Sequence, residues 1–210
     1  MSPATFVHRL VLIAAVALMA APASAPAASR RAQPDSFGPA QPSILRGRPV
    51  PARYKRQIVR YPGVEAPGTI IIDTGDHYLY YVLPRGRAVR YGIGVGRQGF
   101  AWSGVATVNS KQEWPDWYPP KEMLARQANL RKRMSVLQSG LGMPGGPGNP
   151  LGARALYLWQ GGKDTLYRIH GTTEPWTIGQ NVSSGCIRMI NQDVIDLFER
   201  VEIGATVVVL

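Results

Sequence analysis

The stretch 168–191 sets the strongest limit on what this chain can build. It reads Arg-Ile-His-Gly-Thr-Thr-Glu-Pro-Trp-Thr-Ile-Gly-Gln-Asn-Val-Ser-Ser-Gly-Cys-Ile-Arg-Met-Ile-Asn. Pro175 removes a backbone donor, and Gly171, Gly179 and Gly185 weaken any helix that includes them, so no continuous helix runs through it. Such a segment can fold back on itself and bring His170 to Cys186. Cys186 is the only cysteine of the chain, and His170 is one of three histidines.

That meeting has a chemical meaning. A free thiol has a pKa of about 8.5, so only a small fraction is nucleophilic thiolate at neutral pH. An imidazole within hydrogen-bond reach takes the proton and raises that fraction. The competing reading of a lone cysteine is a small buried hydrophobe. Ser183, Ser184, Gly185 and Arg188 are polar company for a core strand, and glycine before Cys186 lets a second backbone or a substrate approach. Residue types alone leave both readings open. A zinc site fits poorly, because metal ligands come in clusters and there is no second cysteine.

At these residues the chain resembles a known family. His170-Gly171-Thr172, followed by Ser183-Ser184-Gly185-Cys186-Ile187-Arg188, is similar to the active-site motif of the L,D-transpeptidases (YkuD domain). Pro175-Trp176, Ile178-Gly179 and the wording of 149–156 also match, and the resemblance covers 67–210. Many members carry His where Ser184 stands; Ser is common in the Gram-negative, periplasmic branch.

The resemblance implies a mainly β fold with a few helices, a YkuD-like β-sandwich or mixed sheet. It implies Cys186 as nucleophile and His170 as base, with the Gly171 carbonyl fixing the imidazole tautomer. Backbone N–H groups of Gly185 and Cys186 are expected to hold the oxyanion. Arg188, Ser183, Ser184, Trp176 and Met189 are expected at the substrate, with Arg188 either binding a carboxylate or bracing the loop. The implied donor is a peptidoglycan tetrapeptide stem that loses D-Ala, and the acceptor is the amine of a second stem, giving a 3→3 cross-link. Water or the lysine of an outer-membrane lipoprotein are alternative acceptors. A non-catalytic wall-binding module is the rival outside enzymes. No cofactor or metal is implied.

The N-terminus reads as an export signal over 1–27. Arg9 precedes an apolar run, and small residues alternate around Ala23 and Ala27. The run is short for a bilayer span. The chain carries 24 Lys+Arg against 13 Asp+Glu, net +11; nucleic acid is the first partner such charge suggests, and export argues against it. An unpaired cysteine in an exported protein marks a reactive thiol. Residues 28–66, rich in Pro and Arg, read as a disordered basic linker, with 58–61 adding a short strand at its end. The catalytic domain is expected over 67–210.

Within it, the β-branched run 69–74 reads as a buried strand and 77–83 as its hairpin partner. Strands are also expected at 88–95, 105–108, 155–159, 165–170 and 206–210. Gly92, Gly94 and Gly96 read as close-packing or bulge positions rather than a phosphate loop, since no clear helix follows them. His77 is read as lying away from the motif. A basic helix is expected over 121–133, and the aromatic segment 114–120 as an irregular loop, core plug or groove wall. The Gly/Pro-rich 140–152 reads as a flexible cover. Asn191 is expected to cap a helix whose apolar stripe is Val194, Leu197, Phe198 and Val201, ending at Gly204.

Overall fold

A computed structural model describes residues 49–97, 102–183 and 185–210. The signal segment, most of the linker and Ser184 lie outside the described residues.

The chain forms β1 (Gln57–Arg60), β2 (Ile70–Asp73), β3 (Tyr78–Leu83), β4 (Arg87–Gly92), β5 (Val95–Gly96) and β6 (Gly104–Glu113). Two short helices follow, α1 (Lys121–Arg126) and α2 (Ala128–Arg131). After them come β7 (Ser135–Leu137), β8 (Gly140–Gly142), β9 (Arg154–Gln160), β10 (Lys163–His170), β11 (Asn181–Ser183) and β12 (Ile187–Arg188). The last elements are α3 (Asn191–Arg200) and β13 (Thr206–Val209). The fold is mainly β, and its large sheet is mixed.

That sheet has nine strands in the order β1-β4-β3-β2-β13-β6-β9-β10-β12. Ile70, Ile71 and Ile72 are all buried, as expected of a β-branched run covered on both faces. β2 and β3 form the expected antiparallel hairpin. β13 is the last strand in sequence and sits in the middle of the sheet, parallel to β2 and antiparallel to β6.

The sheet is strongly curled. β4 is second and β12 ninth in the order, a separation of about 34 Å if the sheet were flat. Two residues beyond β4 close it: the Gly94 N–H donates to the Arg188 carbonyl at 2.9 Å, and the Arg188 N–H donates to Gly94 at 2.8 Å. Two residues reach about 7 Å at most, so the sheet wraps round to bring its edges together. The wrap encloses Leu79, Tyr91, Ile93, Val108, Leu156, Leu158, Ile169 and Met189. α3 lies against β9 and β10, adding Val194, Leu197 and Val201 to the same cluster. Burial of the Leu197 side chain contributes about 1.5–3 kcal/mol.

Several expectations are corrected. The short strand expected at 58–61 is β1, all four of whose residues pair with β4, and Tyr54 ahead of it is buried, so the disorder expected over this part of the linker is corrected. Arg and Pro content suggested disorder there, but an edge strand is held by its backbone bonds to β4 and leaves Arg60 exposed. The basic helix is broken at Gln127, with φ −119° and ψ 76°. No residue of 121–133 with a described side chain is fully buried, so tertiary packing does not hold a longer helix together. Asn191 is the first residue of α3, not its cap, and its Oδ1 accepts the Ala153 N–H at 3.0 Å. The Gly/Pro segment contains β8, paired with β7, and is pinned by Asn149, whose side-chain amide spans the carbonyls of Pro115, Met143 and Pro144 at 3.0–3.1 Å.

Candidate active site

β10 and β12 pair in parallel, with Ile169 opposite Ile187 and His170 opposite Arg188. Side chains alternate along a strand. Ile169 and Ile187 point into the core, so His170, Arg188 and, one step before β12, Cys186 share the other face. Cys186 is then the diagonal neighbour of His170. Two neighbouring strands therefore carry the imidazole and the thiol on one face of the sheet.

Each is held by its neighbours. Nδ1 of His170 donates to the Gly171 carbonyl at 2.6 Å. A carbonyl only accepts, so Nδ1 carries the proton and Nε2 keeps the lone pair. The ring is 5% exposed. Burial, with the Arg188 charge adding, pushes its pKa down to about 4, so it is neutral at pH 7. Burial pushes the Cys186 thiol up, against the Arg168 amide and the charges of Arg168 and Arg188. The resting pair is therefore imidazole and thiol, not imidazolium and thiolate. The thiol's recorded contact is to the Leu166 carbonyl at 4.0 Å.

Ser183 shapes the turn before the thiol. Its Oγ donates to the Cys186 carbonyl at 2.6 Å and accepts the Gly185 N–H at 3.2 Å. Gly185 has φ +117°, a conformation that favours glycine. Gly171 is required by contact: a Cβ there would overlap Asn191 Oδ1 and come within 3.1 Å of Gly152 Cα.

Residues 67–209 match the family model of YkuD, the L,D-transpeptidase catalytic domain. The chain belongs to the YkuD family. Similar proteins include the probable L,D-transpeptidases ErfK/SrfK and YbiS of Escherichia coli K12, each 34% identical over 67% and 66% of this chain respectively. The match covers 43% of each of those relatives, so this chain spans less than half of their length. A solved chain from Brucella melitensis, described as a probable carnitine operon oxidoreductase, is 50% identical with a TM-score of 0.51, over 79% of this chain and 98% of that one.

The other expected residues of this YkuD domain divide by geometry. Arg188 bonds Glu174 Oε2 at 3.0 Å, so its guanidinium braces the segment after Gly171. Met189 is corrected: it shares the core-facing parity of Ile187 and is 0% exposed, where no substrate reaches it. The hydroxyl of Ser183 is spent inside the turn. The Gly185 N–H must leave Ser183 before it can serve an oxyanion. Trp176 lies within the loop joining His170 to Cys186, with its indole N–H buried and without a partner. Among the described residues no group of three His, Cys, Asp or Glu converges.

The structure adds residues that the motif did not single out. Leu166 sits in a register irregularity of β10 with φ +63°, 76% exposed, beside the thiol. Arg168 is bonded twice to Asp164 at 2.7 Å and stacks on Tyr157. His77, expected away from the motif, meets Asn181 Oδ1 at 2.6 Å. The glycine expectation is met at Gly92 and Gly94, where a Cβ would fall 2.4 Å from Tyr54 and 2.9 Å from the Thr177 carbonyl.

Proposed function

We propose that this domain is a peptidoglycan L,D-transpeptidase with Cys186 as nucleophile and His170 as its base. The observation that carries the reading is the parallel register placing both on one face, with Nδ1 locked on Gly171 so that Nε2 is free of its proton. With both groups neutral at rest, the thiolate forms as attack begins.

In the first half, Nε2 takes the thiol proton and sulfur bonds the carbonyl carbon of the third stem residue. The tetrahedral oxyanion draws on backbone N–H groups of the Gly185–Cys186 turn. The C–N bond to D-Ala breaks, and the imidazolium returns its proton to the leaving amine. The product is a thioester on Cys186. In the second half, an acceptor amine attacks, His170 takes its proton and passes it to sulfur, and the C–S bond breaks. One amide replaces another, so no ATP is consumed. With a stem amine as acceptor the product is a 3→3 cross-link.

The export signal expected over 1–27 and the arginine-rich composition of 28–66 support a periplasmic, wall-facing reading. Among the described residues no helix is long and apolar enough to cross a membrane. The oxidoreductase description belongs to the Brucella protein; the reading here rests on the family and on the Cys186–His170 face.

The test is incubation with purified tetrapeptide muropeptides and product analysis by mass. Release of D-Ala with a cross-linked dimer supports transpeptidation. A tripeptide alone makes the enzyme an L,D-carboxypeptidase. A muropeptide–lipoprotein conjugate, formed when a lipoprotein with a free lysine amine is supplied and without any cross-linked dimer, makes it an anchoring enzyme. No D-Ala release overturns the reading.

A further inference from the structure

The segment 52–60 lies before the stretch that matches the YkuD family, yet it touches the catalytic loop at one point and α3 at another. Tyr54 is the first. It is 8% exposed, and glycines stand where its side chain lands. A Cβ at Gly92 would fall 2.4 Å from the Tyr54 Cβ, and one at Gly179 would overlap its ring. Gly179 belongs to the loop joining His170 to Cys186. On its backbone side that loop is bonded to the chain between β4 and β5: the Gly179 N–H donates to Ile93 at 2.9 Å, and the Val95 N–H to Gln180 at 3.0 Å. The loop is thus held between the Tyr54 ring and the strand that also bonds Arg188.

Arg56 is the second point. Its guanidinium pairs with Asp196 at 2.9 Å and faces Asp193 at 3.9 Å. Both acids lie on α3, which begins five residues after Cys186. Pairing of β1 with β4 fixes the chain immediately after these contacts. One short piece of chain therefore grips the loop before the thiol and the helix after it.

We infer that the segment 52–60 is a clamp on the catalytic loop, and that Tyr54 is a positioning residue for the His170–Cys186 pair. The inference rests on the assignment of those two residues above. Tyr54 touches no reacting atom. It acts by holding Gly179, and through that loop the depth at which the thiol is buried. Cys186 is half-buried, and burial is the largest cause of its raised pKa, so a loosened loop that exposes it further lets the thiol ionise more easily while turning it away from the base. Reactivity toward a small alkylating agent and catalytic turnover then move in opposite directions.

The experiment uses the full chain with Tyr54→Ala, Tyr54→Phe or Arg56→Gln. For each, the pH profile of iodoacetamide reaction at Cys186 is measured with kcat and KM on tetrapeptide muropeptides and a thermal melt. Tyr54→Ala is expected to alkylate faster at pH 7 while kcat falls about 10–100-fold, the size of loss that small misplacement of catalytic groups produces. KM should move little. Tyr54→Phe keeps the ring and should restore both readouts. Arg56→Gln should shift both in the same directions, less far. A folded Tyr54→Ala with lower thermal stability but an unchanged alkylation profile and kcat overturns the inference. If Tyr54→Ala does not fold, Arg56→Gln decides, and unchanged readouts there overturn it. Absence of turnover in the unsubstituted chain counts against transpeptidation but leaves the alkylation comparison to test the clamp.

Discussion

His170 stands directly across from Arg188 in the parallel pairing of β10 with β12, so the imidazole faces a permanent positive charge. Burial and that charge both hold the imidazole neutral. The same guanidinium lowers the thiol pKa. One arginine thus draws the two proton affinities down together, keeping the base unprotonated without stranding the thiol.

Arg188→Gln should raise the His170 pKa above its value of about 4 and raise that of Cys186. NMR titration of the His170 ring and the pH profile of thiol alkylation measure the two. No upward movement in the histidine would show that Arg188 does not hold it neutral, leaving burial and the Arg168 charge.

Cys186→Ser should abolish D-Ala release while the melting curve stays cooperative. His170→Ala should lower kcat by about 10²–10⁴-fold, the usual contribution of a positioned base. Because His77 bonds Asn181 in the catalytic loop, His77→Ala is not an inert control; a small loss of turnover is expected from it. If His77→Ala costs more turnover than His170→Ala, the base is misassigned.

Leu166 holds a left-handed conformation that costs a leucine about 1–2 kcal/mol. Leu166→Gly should therefore melt at or above the temperature of the unsubstituted chain. Its carbonyl faces the thiol at 4.0 Å and its side chain is exposed; if that side chain contacts the substrate, KM for muropeptides rises. A lower melting temperature with unchanged KM would contradict both expectations.

Two buried groups oppose each other as pH changes. Asp193 is pushed up to about 6 by burial, with Arg56 pulling the other way. Its folded state holds the proton more tightly, so its contribution to stability is present at low pH and is lost as pH rises from about 4 to 6. His170 is pushed down to about 4, so its contribution is lost as pH falls from about 6.5 to 4. The two nearly cancel, while Asp196, held at about 2 by Arg200, acts below this window. Asp193→Asn removes one side. The variant should gain up to about 3 kcal/mol at pH 7 and lose stability steeply toward pH 4. Urea denaturation at several pH values tests this; parallel curves for the two proteins would rule it out.

Much of the fold was legible because local signals agree with the final packing. The isoleucine run of β2, the β3 hairpin, the stripe on α3 and the motif around Cys186 each carry their own periodicity or chemistry. What escaped depends on distant contacts. Nothing near Tyr54 in sequence announces that Gly92 and Gly179 leave room for its side chain, so its surroundings read as linker. Met189 follows a two-residue strand, too short to show by alternation that its side chain faces inward. Asn191 has the composition of a cap, but the Ala153 N–H claims its oxygen. The site motif gave residue identities; the face they share required the pairing of β10 with β12.

The central place of β13 governs when any of this can form. It joins β1-β4-β3-β2 on one side to β6-β9-β10-β12 on the other, yet follows both in the chain. Until residues 206–209 are available, neither group of strands has its neighbour, and the contacts that fix the sheet span most of the domain's length. Such long-range pairing makes folding slow. A chain that has not yet released residues 206–209 therefore holds two halves of a sheet with no strand to join them.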